Sequence, residues 1–189
     1  VAVFDVTLSP FGAYGDTGSM ISRSEAFAFH QDWLRASPEL YGEYGRTRLM
    51  AGAFISAESY VNAQRQRARL VAEVAAVMRD CDVLIFPTAR CPARTIGEDS
   101  MASGFQPFFN RAFNVTGNPA ICISNGFSHD GLPLSCQIVG KYFDEANVLR
   151  VADALERLGR RVGVGDQVEV LLGNRAPLGH RPEAEDFVP

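Results

Sequence analysis

Lysine is nearly absent from this 189-residue sequence: Lys141 is the only one among 18 lysines and arginines combined. Chemistry that depends on a lysine base or a lysine Schiff base therefore has a single candidate. Acidic residues outnumber basic ones by 22 to 18, which gives a net charge of −4 at pH 7. Because phosphate contacts need clustered cations, this balance argues against a general nucleic-acid binder.

Long apolar runs are missing too. Stretches such as Val83–Phe86 and Ala120–Ile123 fall far short of the roughly 20 residues that a membrane-spanning helix needs. The segment that begins at Val1 shows no basic region followed by an apolar core, so no secretory signal is expected. These absences favour a cytoplasmic protein with no membrane partner.

Metal and nucleotide motifs are absent as well. No Cys-x-x-Cys pair, of the kind that close-spaced zinc ligands form, occurs among Cys81, Cys91, Cys122 and Cys136. No Walker-type phosphate loop is present, and Gly163-Val164-Gly165 is only a fragment of a dinucleotide-binding loop. We therefore expect free thiols, no bound metal and no cofactor.

Nucleophilic catalysis needs a hydroxyl or thiol beside a base, and the sequence offers little of this. No Gly-x-Ser-x-Gly elbow occurs. His129 lies between the two segments that carry Cys122 and Cys136, so a thiol hydrolase built on Cys136 and His129 stays open. Alternation of these cysteines with isoleucine and leucine favours a packing role instead.

Predicted strands and helices alternate along the chain, which indicates an α/β fold. Strands are predicted over residues 1–8, 82–87, 119–124 and 132–139, with a weaker one over 168–172. A helix is predicted from the capping box at Ser22 to about Arg35, with Phe27, Trp33 and Leu34 buried. Ser56 is expected to cap a second helix over residues 57–79, and a third is predicted to start after Asp144 and end before Gly159. Loops are expected over residues 9–19 and 88–106, and turns at Asn125-Gly126 and Asp130-Gly131.

Several ordered segments resemble the C-terminal part of the amidase signature family. They are Asp82–Thr88, Phe113–Ile121, Gly126, Gly131–Gly140 and Phe143–Glu145. Ser24-Glu25-Ala26 and the predicted helix from Tyr60 to Arg67 are also similar to that family, so the resemblance spans residues 1–158. Ser124 and Ser135 depart from it, because the family usually has proline and glycine there.

The resemblance implies the C-terminal part of the amidase-signature fold, with a mixed β-sheet covered by α-helices. Residues 1–159 are assigned to this part of the amidase domain and residues 160–189 to a tail. The family hydrolyses amides with a serine nucleophile, a second serine and a lysine base. The stretch that carries them would lie upstream, since this chain has no Ser-Ser or Gly-Gly pair, and Lys141 falls at a position that the family does not use. No catalytic residue is therefore assigned here.

What this chain would supply, by the same resemblance, is part of the sheet and one wall of the substrate pocket. The substrate-binding candidates are Thr88, Phe105, Phe109, Asn114 and Gln137. The phenylalanines would suit an apolar acyl group or would pack the core, and the two amides would contact ligand or bond backbone at strand ends. The expected partners are a small-molecule amide, the remaining N-terminal amidase portion and a second copy paired through a free sheet edge. The alternative is a non-catalytic binding or assembly module on the same scaffold.

Overall fold

A computed structural model describes residues 2–93, 95 and 109–162, the last four without their side chains. Five α-helices and three strands occur in these residues, with short 3₁₀ turns at Pro38–Leu40 and Ala51–Phe54. In chain order they are α1 (Phe11–Ala36), α2 (Glu43–Met50), α3 (Ala57–Val77), β1 (Val83–Pro87), α4 (Asn110–Thr116), β2 (Ala120–Phe127), β3 (Pro133–Gly140) and α5 (Glu145–Val162). The predicted α/β class is confirmed.

The strands form one sheet in the order β1-β3-β2, so β3 is central. Both pairings are antiparallel: Val83 lies opposite Gly140, and Ala120 lies opposite Val139. The mixed character expected of the sheet does not occur among the described strands. Because β3 has neighbours on both edges and helices on both faces, its residues from Cys136 to Gly140 are all buried.

The turn predicted at Asn125-Gly126 is wrong. These residues lie within β2 at a bulge between Ser124 and Gly126, where Gly126 has a φ of 147°. Both a β-bulge and a tight turn use a glycine with a positive φ. The Asn-Gly dipeptide in the sequence therefore does not tell a bulge from a turn. The chain reverses later, at the predicted Asp130-Gly131 turn, where Gly131 has a φ of 76°.

The N-terminal prediction is also wrong. Residues 2–8 form no strand, and α1 begins at Phe11, inside the segment expected to be a loop. Ser22 therefore lies in the middle of a helix and caps nothing. Three glycines disfavour a helix here by up to about 1 kcal/mol each, but burial of Tyr14 and Thr17 outweighs that cost.

Gly18 shows what the glycines contribute to α1. A Cβ at this position would lie 2.7 Å from Cγ2 of Val115 on α4, so only glycine allows the two helices to approach this closely. In the C-terminal half of α1, burial is predicted for both Trp33 and Leu34, and only one of the two is buried. Leu34 is buried, whereas Trp33 is 55% exposed.

Ser56 caps α3 as predicted, because its Oγ accepts a hydrogen bond from the Ser59 amide at 3.1 Å. The helix packs Leu70 and Val74, together with its C-cap residue Met78, against one face of the sheet. On the opposite face, α5 packs Val148 and Ala152 against the sheet, in a cluster with Ile138. The sheet is thus covered by α1, α3 and α4 on one side and by α5 on the other.

The predicted end of the last helix is wrong, since α5 runs through Gly159 to Val162. The weak strand predicted over residues 168–172 lies outside the described residues, as does the rest of the proposed tail from residue 163.

Candidate functional site

Two of the predicted site residues share the sheet face that α1, α3 and α4 cover. Gln137 lies opposite Phe86 across the β1–β3 ladder. One step beyond β1, the Thr88 amide donates to the Ser135 carbonyl at 3.0 Å. Since alternate residues of a strand point to the same face, Thr88, Ser135, Phe86 and Gln137 form one patch.

Both of these polar side chains carry an unpaired buried atom. Gln137 is 2% exposed, and its Nε2 has no hydrogen-bond acceptor among the described residues. Oγ1 of Thr88 is buried and equally without a partner there. Leaving a buried donor unpaired costs about 1–3 kcal/mol, so both atoms would gain from a hydrogen-bond partner that the described residues do not provide. The patch is therefore a candidate wall of a binding pocket.

Aromatic rings border this wall. The Phe86 ring lies 5.4 Å from that of Phe113 and 5.5 Å from that of Phe11, and Phe11 lies 5.1 Å from Phe109. Phe113 is 2% exposed and belongs to the core. Phe109 is half-buried at the start of α4 and lies at the border of the patch. Phe105, the remaining aromatic candidate, lies outside the described residues.

Asn114 is not part of this wall. It is exposed on α4 and lines a cleft of about 420 Å³ between α1, α3 and α4. The structure therefore brings Thr88, Gln137 and Phe109 into one neighbourhood and places Asn114 in another. Asn114 shares the cleft with two arginines, Arg67 and Arg111.

The buried amide of the same motif is Asn118. Its Nδ2 donates to the Gly140 carbonyl at 2.9 Å, and the Gly140 amide donates to the Pro119 carbonyl at the same distance. Gly117, with a φ of 83°, ends α4 just before it. These residues join the end of α4 to the end of β3.

Lys141 lies at the other end of the sheet from the patch. It follows Gly140, and the strand from Ser135 to Gly140 spans about 17 Å at 3.3 Å per residue. Lys141 lies close enough to Cys81 to affect its thiol. Burial raises the pKa of this thiol, and the charge of Lys141 lowers it by a smaller amount. The single lysine is therefore remote from Thr88 and Gln137.

The thiol alternative is not supported by the geometry. Cys136 is 4% exposed, packs in the α5-facing cluster and makes no hydrogen bond with His129. Burial raises the pKa of its thiol, which favours the unreactive protonated form. His129 is exposed in the β2–β3 turn, with Nδ1 3.3 Å from Oδ1 of Asp130.

Alkylation should separate the two cysteines. We expect iodoacetamide to label exposed Cys122 at least about tenfold faster than Cys136 at pH 8, because only the thiolate reacts and Cys136 is both buried and raised in pKa. Peptide mass spectrometry over time measures both rates in the native chain. A Cys122→Ser variant serves as the control, and fast labelling of Cys136 in the folded state would contradict the structure.

The described residues contain neither a candidate membrane span nor a cluster of metal ligands. None of their helices is both long enough and apolar enough to cross a membrane. No three histidine, cysteine, aspartate or glutamate side chains among them come together in a metal-binding arrangement.

A family model described as Amidase matches residues 9–149. The chain belongs to the amidase signature family. It is 41% identical over 125 residues to a glutamyl-tRNA(Gln) amidotransferase subunit of Lysinibacillus sphaericus, a match covering 62% of this chain and 26% of that protein. It is 36% identical over 143 residues to an amidase of Pseudomonas putida, covering 70% and 30%.

Solved structures of the family share the fold. A crystal structure of an amidase superimposes with a TM-score of 0.72 at 24% identity, over 79% of this chain and 36% of that one. A bacterial aryl acylamidase of the same family superimposes with a TM-score of 0.61 at 19% identity, over 88% and 37%. The chain thus spans less than two fifths of the length of these relatives.

Proposed function

We propose that this chain is the part of an amide hydrolase that supplies sheet strands and one wall of the acyl pocket. The reaction is the cleavage of a carboxylic amide to the acid and ammonia or an amine. The observation that supports this most is the pair of unpaired buried atoms, Thr88 Oγ1 and Gln137 Nε2, on one sheet face. Membership of the amidase family supports the reaction class.

The wall offers the groups that binding of an acyl chain requires. Gln137 presents an amide donor and Thr88 a hydroxyl that both donates and accepts, so the two can orient a polar group of the substrate. The Phe86 and Phe109 rings beside them suit an apolar acyl body. Directed polar groups inside an apolar surround are the usual composition of a small-molecule pocket.

The catalytic groups are proposed to come from a separate stretch of polypeptide. In the family mechanism a lysine takes the proton of the nucleophilic serine through a second serine, and backbone amides stabilise the oxyanion by about 3–4 kcal/mol per donor. This sequence has no Ser-Ser pair, and Lys141 lies at the far end of β3. The described residues thus offer no lysine beside the wall.

We expect the purified 189-residue chain to release no ammonia or amine from simple aliphatic and aryl amides. The measurement is product formation with the chain alone, compared with buffer and with a serine-directed inhibitor. Turnover that the inhibitor abolishes would contradict the proposal. If the complete polypeptide encodes neither a lysine nor a paired serine upstream, the non-catalytic module is favoured instead.

The pocket wall has its own test in the complete enzyme, where the chain is joined to the segment that carries the serines and lysine. Gln137→Leu keeps the side-chain volume and removes the unpaired Nε2 donor. We therefore expect KM to rise at least about tenfold for substrates that accept a hydrogen bond from this donor. The matched control is Gln31→Leu on α1, whose exposed Nε2 donates to the Ala28 carbonyl of the same helix. Unchanged KM and kcat in Gln137→Leu would show that Gln137 does not contact the substrate.

A further inference from the structure

The cleft between α1, α3 and α4 is built from one face of each helix. Its residues recur at spacings of three and four, which place side chains on the same side of a helix. The faces are Gly18, Ile21, Ser22 and Glu25 on α1, Gln64 and Arg67 on α3, and Arg111, Asn114 and Val115 on α4. Gly18 brings α1 and α4 together, since a side chain there would meet Val115.

Within the described part of the chain, each arginine of the cleft is held in place by one hydrogen bond. Nε of Arg67 donates to the Val115 carbonyl at 2.7 Å, and Nη1 of Arg111 donates to Oγ of Ser19 at 2.8 Å. A guanidinium has five N–H donors, so most remain on each side chain. Neither arginine forms a salt bridge with a carboxylate in the part of the chain that the structure describes.

The single acidic residue lining the cleft is already engaged. Oε1 of Glu25 accepts a hydrogen bond from the Tyr60 hydroxyl at 2.8 Å, and that hydroxyl in turn accepts from Nε2 of Gln64 at 2.9 Å. With Arg67 and Arg111 set against Glu25, the lining residues carry one net positive charge. Two positioned guanidiniums therefore face the cleft, and neither has an anionic partner among the described residues.

We propose that this cleft binds a small carboxylate, with the carboxylate group at Arg67 and Arg111 and its apolar body against Ile21 and Val115. The planar fork of an arginine matches the two oxygens of a carboxylate. The cleft volume of about 420 Å³ is larger than a bare ion would occupy and lies in the range of small-molecule sites. The proposal does not depend on amide hydrolysis, because the cleft is formed by described residues of this chain alone.

Titration of the purified chain with benzoate by isothermal calorimetry tests the site. We expect saturable 1:1 binding of benzoate and no saturable binding of benzyl alcohol, which keeps the ring and lacks the charge. Arg111→Gln should weaken benzoate binding at least about tenfold, and Arg111→Lys should weaken it less, because the charge stays and the fork is lost.

The matched control is Arg69→Gln, which removes the same charge from an exposed position of α3 outside the cleft. It should leave the benzoate Kd within twofold of the parent chain. Circular dichroism and the Tm of each variant confirm that all are folded before titration. Three results would each overturn the proposal: no saturable benzoate binding, equal weakening by Arg69→Gln, or displacement of benzoate by inorganic phosphate at the same concentration.

Discussion

Gly52→Ala should lower the free energy of unfolding by about 3 kcal/mol, the upper range for overpacking. Gly52 lies in the 3₁₀ turn Ala51–Phe54, buried beneath α1. A Cβ there would lie 2.1 Å from the carbonyl oxygen of Arg23 and 2.6 Å from Cβ of Phe27. The first of these is a backbone atom in the middle of a helix, so it cannot move aside without displacing α1. Urea unfolding monitored by circular dichroism measures the change.

Gly45→Ala provides the control for this substitution. Gly45 lies inside α2, and a Cβ added there would have no atom within 4 Å. The same chemical change should therefore stabilise the chain by about 0.5–1 kcal/mol through helix propensity. Equal effects of the two substitutions would show that the turn does not pack beneath α1 as described.

Glu73→Ala should destabilise the chain by about 3 kcal/mol, since two donors lose a charged acceptor. One carboxylate oxygen of Glu73 accepts from the Ser9 amide at 2.6 Å, and the other accepts from the Tyr14 hydroxyl at 3.1 Å. Tyr14 is 0% exposed, so its hydroxyl would be left without water or another partner. Urea unfolding of Glu73→Ala, beside a Glu58→Ala control at the exposed first turn of α3, measures the loss.

The same contact predicts an alkaline limit to stability. Burial, followed by the negative charge of Glu73, raises the pKa of Tyr14 well above its usual value. A group whose pKa is higher in the folded state contributes its stability fully below the unfolded pKa, about 10 for tyrosine, and loses it as the pH rises further. Tyr14→Phe should flatten this part of the stability profile above about pH 10, and an unchanged profile would contradict the assignment.

The strands and α3 could be predicted because their patterns are local and uninterrupted. β1 follows from an apolar run stopped by Pro87, and α3 from a capping serine followed by a helical stripe of apolar residues. The β2–β3 pair follows from two apolar segments around Asp130-Gly131. In each case propensity, patterning and tertiary packing favour the same conformation.

The N-terminal region could not be predicted, because there local propensity and packing disagree. Gly12, Gly15 and Gly18 suggest a loop, yet all three lie in α1. At Gly18 the residue is glycine because the contact with Val115 leaves no room for a side chain. Residues 2–8 have an apolar character typical of a strand. The Ser9 amide next to them bonds a carboxylate of α3 instead of a neighbouring strand.

The candidate site was predictable in part. Thr88 and Gln137 belong to segments that resemble the family, and the register of β1 with β3 brings them to one face. The sequence favours Asn114 over Asn118 as a site residue although only the second is buried. A single sequence does not show that Asn114 lies on the exposed side of α4. The cleft between α1, α3 and α4 is lined by residues from three separate helices, from Gly18 to Val115, so no local sequence pattern reveals it.

The central position of β3 has a consequence for the order of folding during synthesis. β1 pairs with β3, from Val83 opposite Gly140 to Pro87 opposite Cys136, and with no other described strand. The ribosome therefore completes β1 long before its partner exists, and its backbone groups stay unpaired until Gly140 has emerged. The hairpin of β2 and β3 closes over a short turn within microseconds, so we expect it to form first and β1 to join afterwards. Among the described strands, the last to be made is thus the one on which the first completes its pairing.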